Sequence, residues 1–236
     1  MTPQPRSIRW STTAALAVSI LIIVTGGVVR VTGSGLGCPT WPECADGSFT
    51  NAGVSTGIHG YIEFGNRALT AVVVVAVGWV ILACLLQRPR QRTLLWSAWA
   101  QFAVVVLNAV VGGITVWTGL NPYVVGAHFL AAVLLLTSTT ISYDIAHRSV
   151  VPTPHAGTRR AARALVVVTA LVVTVGTVVT GSGPHPGDST EVHRIPVDWT
   201  AVTVLHGVLA TGAIALAVLT VLAARRSGDG LVGRRA

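Results

Sequence analysis

Six apolar runs, each about 20 residues long and so long enough to cross a hydrocarbon core, constrain this chain more than anything else in it. They lie at roughly 11–29, 67–86, 94–116, 124–143, 162–180 and 203–224. The runs are continuous, not alternating, so they read as helices and not as the strands of a barrel. Only 10% of the 236 residues are charged, against about 25% in a soluble domain. The expected fold class is all-α: a polytopic membrane bundle of six transmembrane helices. The first run is long for the apolar region of a signal peptide, and a Gly-rich turn follows it in place of a small-residue cleavage site, so it reads as a span.

The formal charge of +8 is carried by arginine alone. Arg6 and Arg9 precede the first run. Arg88, Arg90 and Arg92 follow the second, and Arg148, Arg159, Arg160 and Arg163 follow the fourth. Arg225, Arg226, Arg234 and Arg235 follow the sixth. The alternate connections hold only Arg30, Arg67 and Arg194. This asymmetry predicts a multi-pass protein of the cell membrane with both termini cytoplasmic. The basic excess is a topology signal with a secondary attraction to anionic membrane lipid, and it gives no reason to expect nucleic-acid binding.

The segment Arg30-Val-Thr-Gly-Ser-Gly-Leu-Gly-Cys38-Pro-Thr-Trp-Pro-Glu-Cys44 leaves the membrane after the first run, because a turn of this composition cannot continue a helix. By the charge pattern it lies outside. Cys38 and Cys44 there suggest a disulfide in an oxidising compartment. The pair is either a structural staple, contributing about 2 kcal/mol by loop closure, or redox-active if exposed or strained. Cys84, inside the second run, reads as a buried apolar residue.

Thr32-Gly-Ser-Gly35 after the first run is echoed by Thr180-Gly-Ser-Gly183 after the fifth. Internal helix repeats are common in membrane proteins. Four helices per repeat fits the offset. Residues 1–147 then form an N-terminal four-helix repeat, and 148–236 hold two helices of a second. The segment after Arg225 is polar and not membrane-spanning. A truncated chain and a shortened relative of an eight-helix protein both remain open.

Ionisable groups within spans are costly and mark functional candidates. The second helix opens with His59-Gly-Tyr-Ile-Glu63-Phe-Gly-Asn66-Arg67, the fourth holds His128 and the sixth holds His206. All three helices run inward, so these groups share one depth near the outer face. Neutral imidazole is an axial ligand of haem iron. No His-x3-His or Cys-x2-Cys spacing suggests zinc. A lone membrane histidine that only hydrogen-bonds a neighbouring helix is the plainer alternative. Glu63 and Arg67 can pair at i, i+4, and His59, Glu63, Asn66 and Arg67 fall on roughly one stripe. The carboxylate is either half of an interfacial ion pair or a group aimed into a cavity. His185, in the rigid turn Gly181-Ser-Gly-Pro-His185-Pro-Gly-Asp188, covers a pocket or is simply solvated. Gln101 and Asn108 read as interhelical hydrogen-bond partners.

At these residues the chain resembles the haem A synthase family. The likeness runs through the segment Arg30–Cys44, Ile62-Glu63-Phe-Gly-Asn66-Arg67, Gly112-Gly-Ile-Thr-Val-Trp-Thr-Gly-Leu-Asn-Pro122 with His128, the Gly181–Asp188 turn and Leu205-His206. The resemblance implies an eight-helix bundle of two four-helix repeats. It implies oxidation of the C8 methyl of haem O to the formyl of haem A by successive hydroxylations. The half 1–147 would hold the substrate haem and the half 148–236 a haem b cofactor, each half using a histidine from its second and fourth helices. Glu63 matches the family's glutamate and is the catalytic candidate, which would handle protons or orient the substrate; His128 and His206 match haem ligands, and Cys38 and Cys44 match the cysteine pair. The family's Glu-x-x-His-Arg reads Glu63-Phe-Gly-Asn66-Arg67 here. His59, on the same face seven residues earlier, is the candidate replacement, although seven residues is about 10 Å along a helix. Asn66, Arg67 and His185 stand as candidate haem contacts.

The resulting expectation is a haem A synthase-like membrane oxidoreductase. Its substrate, haem O, would be supplied by a haem O synthase, and a homo-oligomer is one way to complete the second half. The alternatives are a non-catalytic haem-binding protein of oxidase assembly, or a thiol–disulfide or quinone-linked redox protein built on Cys38 and Cys44.

Overall fold

A computed structural model describes residues 4–45, 47–50, 57–147, 155–188 and 192–226. The inner connection at 148–154 and the polar tail after Arg226 lie outside the described residues. Six helices account for nearly all of the rest: α1 Arg6–Val31, α2 Ile58–Leu86, α3 Arg92–Trp117, α4 Pro122–His147, α5 Ala156–Ser182 and α6 Trp199–Arg226. All six are long and apolar enough to cross a membrane. The chain is therefore an all-helical, multi-pass membrane protein.

Local chemistry sets the helix ends. Beyond α1, Gly33 takes a left-handed φ of 66°, which glycine adopts without penalty. The Ser34 N–H then returns to the Val29 carbonyl at 2.9 Å. α4 opens on Pro122, whose missing N–H costs nothing at a helix start, while Asn121 Oδ1 accepts from the Tyr123 N–H at 3.0 Å. Asp198 Oδ1 caps α6 through the Thr200 and Ala201 N–H groups at 2.9 and 3.2 Å. α2 begins nine residues before its apolar run, at Ile58 rather than Arg67. Of the polar residues in that first stretch, His59, Glu63 and Arg67 are satisfied by the connection before it and Asn66 by α1, so the helix needs no apolar pattern there.

α1 to α4 form one unit, joined by segment 184–195. α1 packs against α2 and α4, and α3 packs against the same two helices, so α2 and α4 lie diagonally across the bundle. The apolar core occupies the end away from the disulfide loop: Ile8, Ala15, Val73, Val77, Val80, Cys84, Leu94, Ala98, Leu135 and Ala146. Alanines among these positions let the helices approach closely. Polar cross-ties supplement the packing. Ser142 Oγ meets Ser97 and the Gln101 amide, and the Asn108 amide donates to the Ala131 carbonyl at 2.9 Å. Gln101 and Asn108 thus join α3 to α4, as their sequence suggests. Segment 184–195, remote in sequence, is tied to the end of α1. The Gly35 N–H donates to the Gly187 carbonyl at 2.7 Å, and Arg30 Nη2 donates to the His185 carbonyl at 2.8 Å.

α5 and α6 form the second unit and pack against each other. Among their described residues only Thr158, Gly181, Thr220 and Ala224 are buried. Several of their valines and leucines, among them Val166, Val167, Leu171, Val204, Val208 and Leu219, are exposed.

Candidate functional site

The loop end of the four-helix unit is organised by one ion pair. Glu63 and Arg67 stand one turn apart on α2, and Arg67 Nη2 and Nε donate to Glu63 Oε1 at 2.6 and 3.0 Å. Glu63 Oε2 accepts the Cys38 N–H at 2.7 Å. The same guanidinium donates to the carbonyls of Cys38 at 3.0 Å, Thr40 at 2.7 Å and Glu43 at 3.0 Å. Cys38 and Cys44 are joined by a disulfide, and both are buried. A buried ion pair persists only when further hydrogen bonds satisfy its remaining atoms, and here the backbone of the disulfide loop does so. The pairing expected from the i, i+4 spacing is present. Glu63 has both carboxylate oxygens engaged, one on Arg67 and one on the loop, so its carboxylate clamps that loop.

The other polar residues at the start of α2 diverge. His59 Nδ1 lies 2.9 Å from Ser34 Oγ, which in turn bonds Thr32 Oγ1 at 2.8 Å. The Asn66 amide donates to the Ile22 carbonyl at 3.2 Å and to Thr25 Oγ1 at 2.8 Å, both on α1. The stripe proposed from the sequence is thus divided. At about 100° per residue, Glu63 and Arg67 turn toward the loop while Asn66, about 60° from Glu63 and about 100° from Arg67, turns toward α1.

Three helix hairpins share one device at a similar register along their helices. His128 is the seventh residue of α4, His206 the eighth of α6 and Asn66 the ninth of α2. Each faces a glycine on the preceding helix, five or six residues before that helix ends: Gly112, Gly176 and Gly26. A Cβ on Gly112 would come within 3.0 Å of His128 Cε1, and a Cβ on Gly176 within 3.0 Å of His206 Cε1. On Gly26 it would meet the Asn66 amide at 3.8 Å. Gly112 and Gly176 leave room for the Cε1 edge of each imidazole close to the neighbouring backbone. By this register Asn66, not His59, corresponds to His206. His59 is only the second residue of α2, about two turns nearer the loop than Asn66.

Residues 9–186 match the profile of the COX15-CtaA family, described as cytochrome oxidase assembly protein. The chain belongs to that family. It is similar to the heme A synthase of Lysinibacillus sphaericus, with 28% identity over 130 residues, 55% of this chain and 42% of the relative. It is similar to the heme A synthase of Geobacillus thermodenitrificans, with 30% identity over 113 residues, 47% and 33% of the two chains. The heme A synthase of Listeria monocytogenes matches at 27% over 129 residues, 55% and 41%. The matched stretch therefore spans less than half the length of these curated relatives. No solved structure matches the chain significantly.

Membership of this family implies haem, and the donor set can be tested for fit. His128 Nδ1 and His206 Nδ1 are both buried without a hydrogen-bond partner. An imidazole that binds iron through one nitrogen usually donates from the other, and neither Nδ1 here is spent on tying helices together. His128 and His206 fit an axial role. Asn66 does not, because its amide is tied to α1. Among the described residues, no three His, Cys, Asp or Glu side chains converge as a protein-only metal cluster.

His185 is exposed, and its carbonyl rather than its ring ties the segment to Arg30. Trp41 was not singled out in the sequence. Its indole packs on α3 at Gly113 and edge-on to Trp117, with ring centroids 5.2 Å apart. Trp117 Nε1 donates to the Trp41 carbonyl at 3.2 Å. The placement of Gly112 and Gly176 near helix ends was visible in the sequence, but their partners on the next helix were not.

Proposed function

We propose that this chain works in haem A formation. In this reading it binds haem O in the four-helix unit through His128 and takes part in oxidising the C8 methyl to a formyl group, with a haem b held at His206. The observation that carries it is the matched pair of imidazoles. Both stand at one helical depth, each against a glycine and each with a buried Nδ1 lacking a partner, in a chain of a cytochrome oxidase assembly family. When bound, haem b supplies one-electron transfer at its iron.

The chain's own residues position and enclose. His128 fixes the iron of the substrate, and Gly112 keeps the ring against α3. The engaged oxygens of Glu63 support a positioning role: with Arg67 it holds the disulfide loop over the ligand end, and the Trp41 indole of that loop covers α3 there. A proton passing through Glu63 has to displace the Cys38 N–H or the Arg67 contact first. The arginine distribution supports an orientation with both termini cytoplasmic and the Cys38–Cys44 loop outside. Haem O would come from a haem O synthase through the membrane, and self-association would bring a second set of ligands.

The test is to express the full chain in membranes that make haem O but no haem A, then separate the extracted haems by chromatography. Haem A should appear with the parent chain and vanish with His128→Ala. Haem b without haem A would point instead to a non-catalytic assembly role. No haem at all would point to thiol chemistry at Cys38–Cys44.

A further inference from the structure

We infer that the four-helix unit offers porphyrin iron a single protein imidazole, His128, and that Asn66 keeps the second axial position open. The inference rests on the haem reading above and concerns only how the iron is held.

Asn66 occupies the station that His206 occupies on α6, at the matching depth and opposite the matching glycine. It cannot substitute as a ligand. An amide nitrogen has no lone pair free for a metal, and an amide oxygen suits hard cations better than haem iron. Its NH2 group is also committed to two acceptors on α1, which fix the side chain against that helix. His59 is the other imidazole on α2, but it lies about 10 Å along the axis from Asn66 and bonds Ser34 in the loop. His147 stacks on Tyr143 at the opposite end of α4. His185 and His193 are exposed in the segment outside the helices. Among the described residues of this unit, His128 alone has ligand depth.

One imidazole gives a five-coordinate iron with an open face, to which water or another small neutral ligand can bind. It also gives a weaker anchor than two, which suits a porphyrin that must arrive, react and leave. Asn66 is therefore the residue that makes this seat exchangeable.

The experiment uses the full chain in detergent with His206→Ala, so that only the four-helix unit can contribute a ligand at this depth. The chain is loaded with ferric haem b. The expected result is a high-spin ferric electron paramagnetic resonance signal and carbon monoxide binding after reduction. His59→Ala should leave both unchanged. Asn66→His should convert the signal to low-spin and slow carbon monoxide binding at least about tenfold. A low-spin signal in the parent His206→Ala chain overturns the inference, and its loss on adding His59→Ala would identify His59 as the second ligand. Failure of a helical, monodisperse His206→Ala chain to take up haem overturns the haem reading and the inference with it. If Asn66→His does not fold, the parent and His59→Ala spectra decide the matter alone.

Discussion

The α1/α2 and α5/α6 hairpins carry the same station and fill it differently. In each, a glycine near the end of the first helix faces a polar side chain seven or eight residues into the second. In α1/α2 that side chain is Asn66, with its amide bonded to Ile22 and Thr25. In α5/α6 it is His206, with a buried Nδ1 that has no partner. Equivalent backbone geometry therefore does not imply equivalent use. A polar group satisfied within the fold holds helices together. A buried polar atom left without a partner, as His206 Nδ1 is, ties no helices together. The α1/α2 hairpin carries a second internal network, the Glu63–Arg67 clamp on the disulfide loop, and the described residues of α5/α6 show nothing comparable.

This contrast can be broken by substitution. The largest effect should come from Arg67→Ala, which leaves Glu63 buried and unpaired and so costs about 3 kcal/mol. Thermal unfolding in detergent should show it, with Glu63→Gln milder because an amide still accepts the Cys38 N–H. Reduction of Cys38–Cys44 follows, at about 2 kcal/mol, measured the same way with and without a thiol reductant. Next, Asn66→Ala should destabilise the haem-free chain by about 1 kcal/mol through lost interhelical hydrogen bonds, whereas His206→Ala should leave haem-free stability unchanged. Equal losses from the two would remove the distinction between the hairpins. The smallest effect should come from Gly112→Ala. A Cβ there displaces the His128 ring by a few tenths of an ångström, and haem binding should weaken by less than about tenfold. The haem-free helix should gain up to about 1 kcal/mol from the better helix former. Titration with haem and thermal scans of the same sample would show these opposite signs.

The helices were legible in the sequence because a continuous apolar run of membrane length has one economical fold in lipid. The Cys38–Cys44 pair, the Glu63–Arg67 pair and the cross-ties of Gln101 and Asn108 were legible for a similar reason: each rests on local spacing or on the cost of burying a polar group. What spacing could not show was direction. Seven residues from His59 to Asn66 return to nearly the same face about 10 Å further along the axis, and spacing alone did not say which of the two stands at the level of His206. Depth separates them, and depth depends on where α2 begins. Its apolar pattern starts near Arg67, but the helix starts at Ile58, because α1 and the connection after it satisfy the polar residues between. The aim of Glu63 was hidden for the same reason, since its second partner is a backbone N–H donated from 25 residues away.

The most direct measurement is haem stoichiometry in the purified full chain, read as pyridine haemochrome per polypeptide. His128→Ala and His206→Ala should each remove one haem, and His59→Ala should remove none. Unchanged haem content in His128→Ala, or loss with His59→Ala alone, would contradict the account.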